Sequence, residues 1–310
     1  MPELPEVEVL VRHLAPTLAG RRIRGVEVRR ARVIRPGSVS ALRRTLVGAR
    51  FTGVSRRGKY LLFTLERPGS RVELTLLGHL GMTGRLYLNA CRDVLPRHAA
   101  VVMDLGGRRL VFEDARYFGR LSLDMSALER LGPEPFSRGF NPKSFGQALA
   151  RSRQAIKVRL LDQGLVAGVG NIYASEALFR ARIAPQTRAD QLDQPQVVRL
   201  WRAIRRTLRE AVRFGSTVPL DWRGEGETAK GREGERAKGR DGERAKGGTG
   251  EGKRLFYYGR SPVAREDYTE RLAVYGRAGQ PCWRCRSAIR RIVQGGRSTF
   301  YCPHCQSAAP

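Results

Sequence analysis

The spacing of apolar residues divides the chain into a strand-rich first half and a helical second half. Apolar side chains recur at helical intervals near the start, at Val7, Leu10, Val11, Leu14 and Leu18. This spacing predicts an amphipathic helix over residues 3–18. Short apolar and β-branched runs between Gly and Pro turns then predict six strands, at 23–28, 50–55, 60–65, 71–77, 99–104 and 109–112. Many short strands after one helix favour an antiparallel sandwich or barrel.

The pattern changes at residues 131–135, where Leu-Gly-Pro-Glu-Pro interrupts any regular element. We place the end of a first domain, 1–132, at this point and a hinge at 133–143. A helical domain is predicted over 144–222, with helices at 144–150, 154–163, 172–181 and 194–214. The last of these helices is long and basic. The chain is therefore predicted to be an α+β protein of two domains.

A glycine-spaced turn at residues 164–170 ends at Asn171. Asn is a strong N-cap residue, so Asn171 is predicted to cap the following helix. The backbone N–H groups at such a helix start form a ready phosphate site. The alternative is a buried helix hairpin whose glycines only permit tight packing, and the spacing alone does not decide between the two.

Residues 223–254 contain an eight-residue repeat that begins at Gly226, Gly234 and Gly242. The segment is dominated by Gly, Glu, Lys and Arg and has few apolar residues to bury, so a disordered insertion is predicted. It holds ten basic and seven acidic residues, which leaves most of the basic charge elsewhere. The last predicted segment is 255–310.

The charge balance points to a polyanionic partner. Lys and Arg number 58 against 29 Asp and Glu, a net charge of +29. Nucleic acid is the first candidate for such a chain. No apolar run approaches the ~18 residues of a membrane span, and the N-terminus lacks a signal-peptide pattern. We therefore expect a cytoplasmic protein without a membrane partner.

Four of the five cysteines form two Cys-x-x-Cys pairs near the C-terminus, Cys282 with Cys285 and Cys302 with Cys305. The sixteen residues between the pairs suit a zinc finger, predicted over 277–306, with four thiolates around one structural Zn²⁺. The alternative, free or disulfide-bonded thiols, is disfavoured in a reducing compartment. Cys91 has no partner in sequence and is interpreted as a plain thiol.

Candidate chemistry lies in the first six residues. Removal of Met1 would leave Pro2 as a terminal secondary amine, and a neutral amine can form an iminium with an electrophilic carbon. Glu3 and Glu6 follow, three apart on one helix face. The alternative is that proline and acidic residues here only favour a helix start.

Four motifs in this order carry a resemblance. They are the opening stretch 1–8, the run Arg57-Gly58-Lys59-Tyr60-Leu61-Leu62, the turn Gly168-Val169-Gly170-Asn171 with the sequence up to Glu176, and the cysteine pairs. Together they resemble the bacterial formamidopyrimidine-DNA glycosylases, of the family shared with endonuclease VIII. The resemblance covers nearly the whole chain except the repeat.

The resemblance implies an N-terminal antiparallel β-sandwich flanked by helices, followed by a helix–two-turns–helix domain with a four-cysteine zinc finger. Duplex DNA would lie in the cleft between the domains. The implied reaction is excision of oxidised purines such as 8-oxoguanine and formamidopyrimidines, followed by strand cleavage at the abasic site. The implied enzyme needs damaged double-stranded DNA, no small-molecule cofactor, and is expected to be a monomer.

The resemblance also assigns roles to residues. Pro2 would attack C1′ of the damaged nucleotide, Glu3 would act as the general acid and base, and Glu6 would help to position the site. Lys59, Asn171 and Arg297 would bind the phosphates around the lesion, and Lys59 is also counted among the catalytic residues.

A flipped base leaves a gap in the stack that the protein must fill. The resemblance places Met82, Arg116 and Phe118 there as wedge residues. It also counts His79, in the same motif as Met82, among the DNA-binding residues. Without the resemblance, Met82 and Phe118 would be interpreted as core residues, although glycines around Met82 suggest an exposed loop tip.

The chain departs from the family where the repeats occupy the region of the lesion-sensing loop, which puts the preference for 8-oxoguanine in question. Two alternatives stay open at this point. One is an endonuclease VIII-like enzyme for oxidised pyrimidines, and the other is a non-catalytic zinc-ribbon DNA-binding protein.

Overall fold

A computed structural model describes residues 2–69, 72–214 and 272–307. The predicted disordered repeats at 223–254 lie outside the described residues, as do residues 215–222 of the predicted helical domain and most of the segment that follows the repeats.

The first half contains eight strands in two antiparallel sheets. In chain order they are β1 (Gly25–Val28), β2 (Arg50–Arg57), β3 (Tyr60–Glu66), β4 (Leu74–His79), β5 (Arg85–Ala90), β6 (Ala99–Asp104), β7 (Arg108–Glu113) and β8 (Arg120–Ser122). One sheet has the order β2-β3-β4-β8 and the other β1-β6-β7-β5. Leu61, Phe63 and Leu65 alternate inward on β3, and they share one core with Val101 and Phe112 of the second sheet. The predicted α+β sandwich is confirmed.

Helix α1 (Leu4–Leu18) joins the two halves of the molecule. Leu10, Leu14 and Leu18 pack into the core of the sandwich, whereas Leu4 belongs to the core of the helical half. Helix α1 is therefore packed into the sandwich core along most of its length and into the helical core at its first residue.

The helical half consists of α4 (Pro142–Ala150), α5 (Ile156–Arg159), α6 (Asn171–Ala181) and α7 (Gln194–Phe214). The predicted helix at 154–163 was too long, because only the single turn Ile156–Arg159 is helical. A hairpin, β9 (Arg290–Gln294) and β10 (Arg297–Tyr301), packs along α6. No helix among the described residues is both long and apolar enough to cross a bilayer.

The sequence prediction missed α2 (Val39–Leu46), α3 (Ser126–Glu129), β5 and β8. Helix α2 has a local signal, because Ser38 accepts a hydrogen bond from the amide of Ala41 as an N-cap and Leu42 and Leu46 are buried four residues apart. Strand β8 is only three residues long and forms by pairing with β4, so local pattern alone could not reveal it.

Candidate active site and nucleic-acid interface

The side chain of Glu3 lies at the N-terminus of α6, 169 residues further along the chain. Its carboxylate accepts hydrogen bonds from the backbone N–H groups of Ile172 (2.8 Å) and Tyr173 (3.3 Å). Anions are stabilised at this end of a helix by its free N–H groups and by its dipole. The anion at this helix start is thus the protein's own carboxylate.

Two glycines make this approach possible. A Cβ at Gly170 would lie 2.3 Å from the Glu3 carboxyl carbon, and a Cβ at Gly168 would lie 2.6 Å from Leu4. The amide of Leu4 also donates to the carbonyl of Gly168 at 3.1 Å. The sequence left open whether these glycines serve a phosphate site or tight packing, and tight packing accounts for both of them.

Asn171 is the first residue of α6 and not its cap, which corrects the sequence prediction, and Gly170 occupies the cap position. The Asn171 side chain is engaged elsewhere: Oδ1 accepts from Nζ of Lys157 (2.5 Å) and Nδ2 donates to the carbonyl of Ser298 (2.9 Å). Asn171 therefore ties the start of α6 to the zinc hairpin.

Glu6 completes the environment of the chain start. Its carboxylate accepts from the amide of Glu3 (2.7 Å) and from the hydroxyl of Tyr173 (2.6 Å). Pro2 precedes these buried carboxylates and is itself partly exposed. The geometry thus places the candidate nucleophile at the surface, beside two buried acidic groups.

Glu3 and Lys59 are both buried and influence each other's charge. Burial raises the pKa of the Glu3 carboxyl above its ordinary 4.5, against the opposing effect of the Lys59 cation. Burial lowers the pKa of the Lys59 ammonium, Glu3 and Glu6 oppose this shift, and Arg297 adds to it. The structure therefore brings Glu3, Glu6, Lys59 and Arg297 within electrostatic range of one another.

Lys157 is a further basic group at this site that the sequence analysis did not identify. It is 1% exposed, and burial lowers its pKa to about 8, with Glu3 opposing and Arg297 adding to the shift. Its partner Asn171 is the residue that contacts the hairpin. A lysine inside a predicted helix has no local sequence signature of such a role.

The loop that carries Lys59 is attached to the connector between the two halves. The carboxylate of Glu134 accepts from Arg56 (2.9 Å), Arg57 (3.1 Å) and the amide of Gly58 (2.6 Å). Arg56 also pairs with Glu8 of α1 at 3.0 Å. The position of Lys59 is thus set by contacts that involve α1, the sandwich and the connector.

The candidate wedge residues lie on two neighbouring loops. Met82 and Phe118 are each 44% exposed, which excludes the interpretation as core residues. The loops approach so closely that a Cβ at Gly81 would lie 2.6 Å from the backbone of Phe118. The guanidinium of Arg116 stacks over the Phe118 ring at 4.8 Å.

Asp114 organises these two loops and was missed by the sequence analysis. It is fully buried, and its carboxylate accepts from the hydroxyl of Thr83 (2.5 Å) and from the amides of Arg116 (3.1 Å) and Gly119 (2.7 Å).

His79 lies at the end of β4, before the loop that carries Met82. Its Nδ1 accepts from the amide of Gly81 at 3.1 Å, and its ring packs against Tyr60. Burial, with Lys59 and Arg120 nearby, lowers its pKa to about 4, so the imidazole is neutral at physiological pH.

The four cysteines of the predicted finger converge. All four sulfur atoms lie within 4.8 Å of one another, with Cys282 and Cys305 at 3.9 Å and Cys285 and Cys302 at 3.4 Å. A tetrahedral site with Zn–S bonds of about 2.3 Å places its sulfurs about 3.8 Å apart. The amides of Arg284 and Cys305 also point at sulfur atoms, at 3.4 Å. The donor set therefore fits one structural zinc ion.

A buried carboxylate fastens this finger to α6. Glu176 accepts from three consecutive amides, those of Ala273 (2.8 Å), Val274 (2.9 Å) and Tyr275 (2.9 Å). Further along α6, Phe179 packs against Cys282 and Cys302, and Arg284 stacks over its ring at 4.6 Å. Asn171, Glu176 and Phe179 thus attach the finger at three points along one helix. Glu176 and Tyr173 stand inside the motif that carries the resemblance, but their contacts have no local signal.

Family models match three consecutive parts of the chain. Residues 1–121 match the formamidopyrimidine-DNA glycosylase N-terminal domain, residues 131–220 match the H2TH domain of the same glycosylase, and residues 279–308 match a zinc finger found in FPG and IleRS.

Similar proteins extend over the full chain. A formamidopyrimidine-DNA glycosylase of Desulfitobacterium hafniense is 37% identical over 99% of this chain and 100% of its own length, and one of Symbiobacterium thermophilum is 40% identical over 99% and 89%. Among solved structures, Lactococcus lactis Fpg in complex with DNA containing N7-benzyl-Fapy-dG has a TM-score of 0.79. MutM in complex with DNA containing carbocyclic 8-oxo-G also scores 0.79, and both are 29% identical over 99% of this chain and 100% of theirs.

Proposed function

The chain belongs to the formamidopyrimidine-DNA glycosylase family, whose members are DNA glycosylases of base excision repair, and we propose that it excises oxidised purines from duplex DNA through an iminium at Pro2. The observation that carries the mechanism is the buried Glu3 beside Pro2, at the start of α6.

The proposed reaction begins at the amine of Pro2. Its lone pair attacks C1′ of the damaged nucleotide, and the bond from C1′ to the base breaks with its electrons leaving on the base. The proton on the attacking nitrogen passes to the departing base, and opening of the sugar ring at O4′, with a proton from Glu3, then gives the iminium between Pro2 and C1′. The iminium acidifies the C2′ proton, so successive eliminations can release the phosphates on both sides of the lesion.

Glu3 is the proposed proton donor and acceptor. Burial raises the pKa of its carboxyl, which keeps the acid protonated at a higher pH than an exposed glutamate. The acid can thus deliver a proton to O4′ as the ring opens, and the resulting carboxylate is stabilised by the N–H groups of Ile172 and Tyr173. Glu6 supports the arrangement through Tyr173 and the amide of Glu3.

Binding of the damaged duplex is proposed to rest on Lys59, Asn171 and Arg297, which come from the sandwich, α6 and the zinc hairpin. Their convergence supports a role at the phosphates around one flipped nucleotide. The exposed side chains of Met82, Arg116 and Phe118 are proposed to fill the vacated space, with His79 supporting the Met82 loop. Inserting side chains between base steps is an established way of opening a duplex.

We propose that the protein is a monomer, because one chain supplies every residue of this proposal. We also propose that it works in the cytoplasm and that the reaction needs no small-molecule cofactor. The one structural zinc is held by Cys282, Cys285, Cys302 and Cys305. We further propose that the catalytic sandwich spans residues 1–132, that residues 133–143 act as the hinge, and that the helical DNA-binding domain spans 144–222.

Borohydride trapping tests the covalent step. Protein verified by mass to lack Met1, mixed with abasic duplex DNA, should give a stable protein–DNA crosslink on Pro2. Protein that keeps Met1 or carries an N-terminal tag should bind the same duplex without crosslinking. Absence of a crosslink from the untagged protein would leave only a DNA-binding role.

The lesion class is tested on paired substrates. Duplexes that differ only in carrying 8-oxoguanine or thymine glycol should show faster release of 8-oxoguanine. Faster release of thymine glycol would assign the chain an endonuclease VIII-like specificity instead.

A further inference from the structure

The long helix α7 carries a row of arginines that the proposed reaction does not use. Five exposed arginines repeat at intervals of three and four residues, at Arg199, Arg202, Arg206, Arg209 and Arg213. At 3.6 residues per turn these positions fall within a sector of about 80°. We call this set the α7 arginine row.

The row lies on the side of α7 opposite to the core of the described residues. The opposite side of α7 is buried through Val197, Leu200, Ile204 and Leu208, in the core shared with α4 and α6. That buried face of α7 packs against α1 and α6, which hold the candidate active site, so the α7 arginine row lies on the opposite face of the helix from the site.

Arg213 has an interaction of its own, and few acidic groups of the described residues balance the other four arginines of the row. Glu210 is the one acidic residue of α7, and it is shared between Arg206 (2.7 Å) and Arg180 of α6 (3.0 Å). Arg209 lies over the ring of Phe136 at 5.7 Å. No ion pair within the described part of the chain includes Arg199 or Arg202. Like charges three and four residues apart destabilise a helix, so the arrangement favours an anionic partner.

The dimensions of the row fit a nucleic acid backbone. The fourteen residue-to-residue steps from Arg199 to Arg213 span about 21 Å at 1.5 Å per step. One DNA strand advances about 3.4 Å per nucleotide along the duplex axis, so the row matches the length of about six phosphates. Guanidinium groups bind phosphate oxygens in a bidentate manner, and regular spacing suits a regular polyanion better than an irregular acidic protein surface.

We propose that the α7 arginine row binds the phosphate backbone of a second, undamaged DNA duplex while the cleft holds the first. The protein would then contact two DNA segments at once, which permits direct transfer from one segment to another. This inference concerns a separate surface and does not depend on the covalent step at Pro2.

Energy transfer between two duplexes tests the proposal. A donor-labelled duplex with an uncleavable abasic analogue occupies the cleft, and an acceptor-labelled undamaged duplex is then titrated in. The test variant is Arg199→Gln/Arg202→Gln/Arg209→Gln, in which glutamine preserves helix propensity. The matched control, Arg44→Gln/Arg92→Gln/Arg97→Gln, removes the same charge from exposed positions of the sandwich half.

At low salt, the wild-type protein and the control variant should show energy transfer at a low concentration of the second duplex, and the test variant should require a much higher concentration. For the second duplex, the slope of log K against log salt should be shallower by about 2.7 in the test variant, or about 0.9 per lost phosphate contact. Both variants should cleave a short damaged duplex at the wild-type rate, which also shows that they are folded. If the first duplex fails to bind at all, no donor complex forms, so failure of the cleft is distinguished from failure of the row.

Several results would overturn the proposal. The proposal that a second duplex binds would be contradicted if the wild type showed no energy transfer. It would also be contradicted if the test and control variants lost energy transfer to the same extent. If the substitutions in the test variant weakened binding of the first duplex as much as binding of the second, the row would be part of the cleft. Capture of labelled polyglutamate in preference to duplex DNA would point to an acidic protein partner.

Discussion

At Glu3, burial and hydrogen bonding act on one carboxyl group in opposite directions. Burial disfavours the charged form and raises the pKa, whereas Lys59 and two helix N–H groups favour the carboxylate. A group balanced in this way can give up a proton and still be stabilised once charged. This balance suits it to the proposed exchange of a proton with the sugar.

Glu3→Gln tests this role. The amide keeps the size of the side chain but cannot exchange the proton, so base release should fall by about 100-fold or more. In the wild type, base release should fall as the pH rises through the raised pKa of Glu3, because the acid form is lost. Single-turnover rates on a damaged duplex measure both effects. The exposed Glu129→Gln is the matched control, and an equal loss in that variant would contradict a specific role.

Lys157 makes a second prediction, about stability and pH. Its pKa in the folded protein is about 8, against 10.5 for an ordinary lysine, so below pH 8 the folded protein bears the cost of a buried charge. This difference corresponds to about 3 kcal/mol. Between pH 8 and 10.5 the unfolded chain binds the extra proton, and the stability of the wild type therefore rises with pH across this range.

Lys157→Met should accordingly be more stable than the wild type at pH 7, by up to about 3 kcal/mol less about 1 kcal/mol for the lost hydrogen bond to Asn171. The gap should close between pH 8 and 10.5. Urea denaturation across this pH range measures it. The variant should also bind damaged DNA more weakly, because Asn171 loses its partner. A gap that does not change with pH would contradict a buried, titrating Lys157.

Among the elements, α6 has the largest role in assembling the site. Its N-terminus receives Glu3, its first residue contacts the hairpin at Ser298, and Glu176 receives three amides from residues 273–275. The candidate catalytic and phosphate-binding residues are therefore positioned by the same eleven-residue helix.

Glu176→Ala should loosen the finger without removing its metal. The substitution leaves three amides without their acceptor and should destabilise the protein by about 3 kcal/mol. Affinity for damaged DNA should fall about tenfold, because Arg297 is no longer held in place, while the zinc content stays at one per chain. The control Glu210→Ala removes a more exposed ion pair and should cost less than about 1 kcal/mol. Loss of zinc from Glu176→Ala would show that the two attachments are not independent.

Removal of zinc tests whether the folded finger is needed for cleavage of DNA. Metal binding and folding are coupled in small four-thiolate sites, so chelation should unfold the hairpin that carries Arg297. Cleavage of a damaged duplex should be lost, while the far-ultraviolet circular dichroism of the sandwich and helices is largely retained. Atomic absorption verifies that the metal is gone. Full cleavage by metal-free protein would show that the finger does not hold the DNA.

At the scale of the whole molecule, local signals were predictable and distant pairings were not. The zinc cysteines and α1 follow from spacing within a few residues, and β3 follows from its alternation. The pairing of Glu3 with α6 and of Glu134 with the Lys59 loop connects residues far apart in the chain. Such pairings arise from tertiary packing. The sequence prediction therefore located the candidate residues through the family resemblance but not the contacts that position them.

The eight-residue repeats lead to a prediction about the intact chain. Their composition offers little apolar surface for a packed core, so deletion of 224–252 should leave the free energy of unfolding unchanged. Cleavage of abasic duplex DNA should also be unchanged. Calorimetry and strand-cleavage rates measure the two properties. A loss of either would show that the repeats take part in folding or in the cleft.

The distance of 169 residues between Glu3 and its partner on α6 has a consequence during protein synthesis. At about 5–20 residues per second, the ribosome releases the N-terminus about 8–30 s before α6 is available. A nascent or prematurely terminated chain therefore displays its terminal amine without the helix that completes the acid group. Only a chain translated beyond α6 can hold Glu3 at the start of that helix. Truncated products should therefore not cleave DNA.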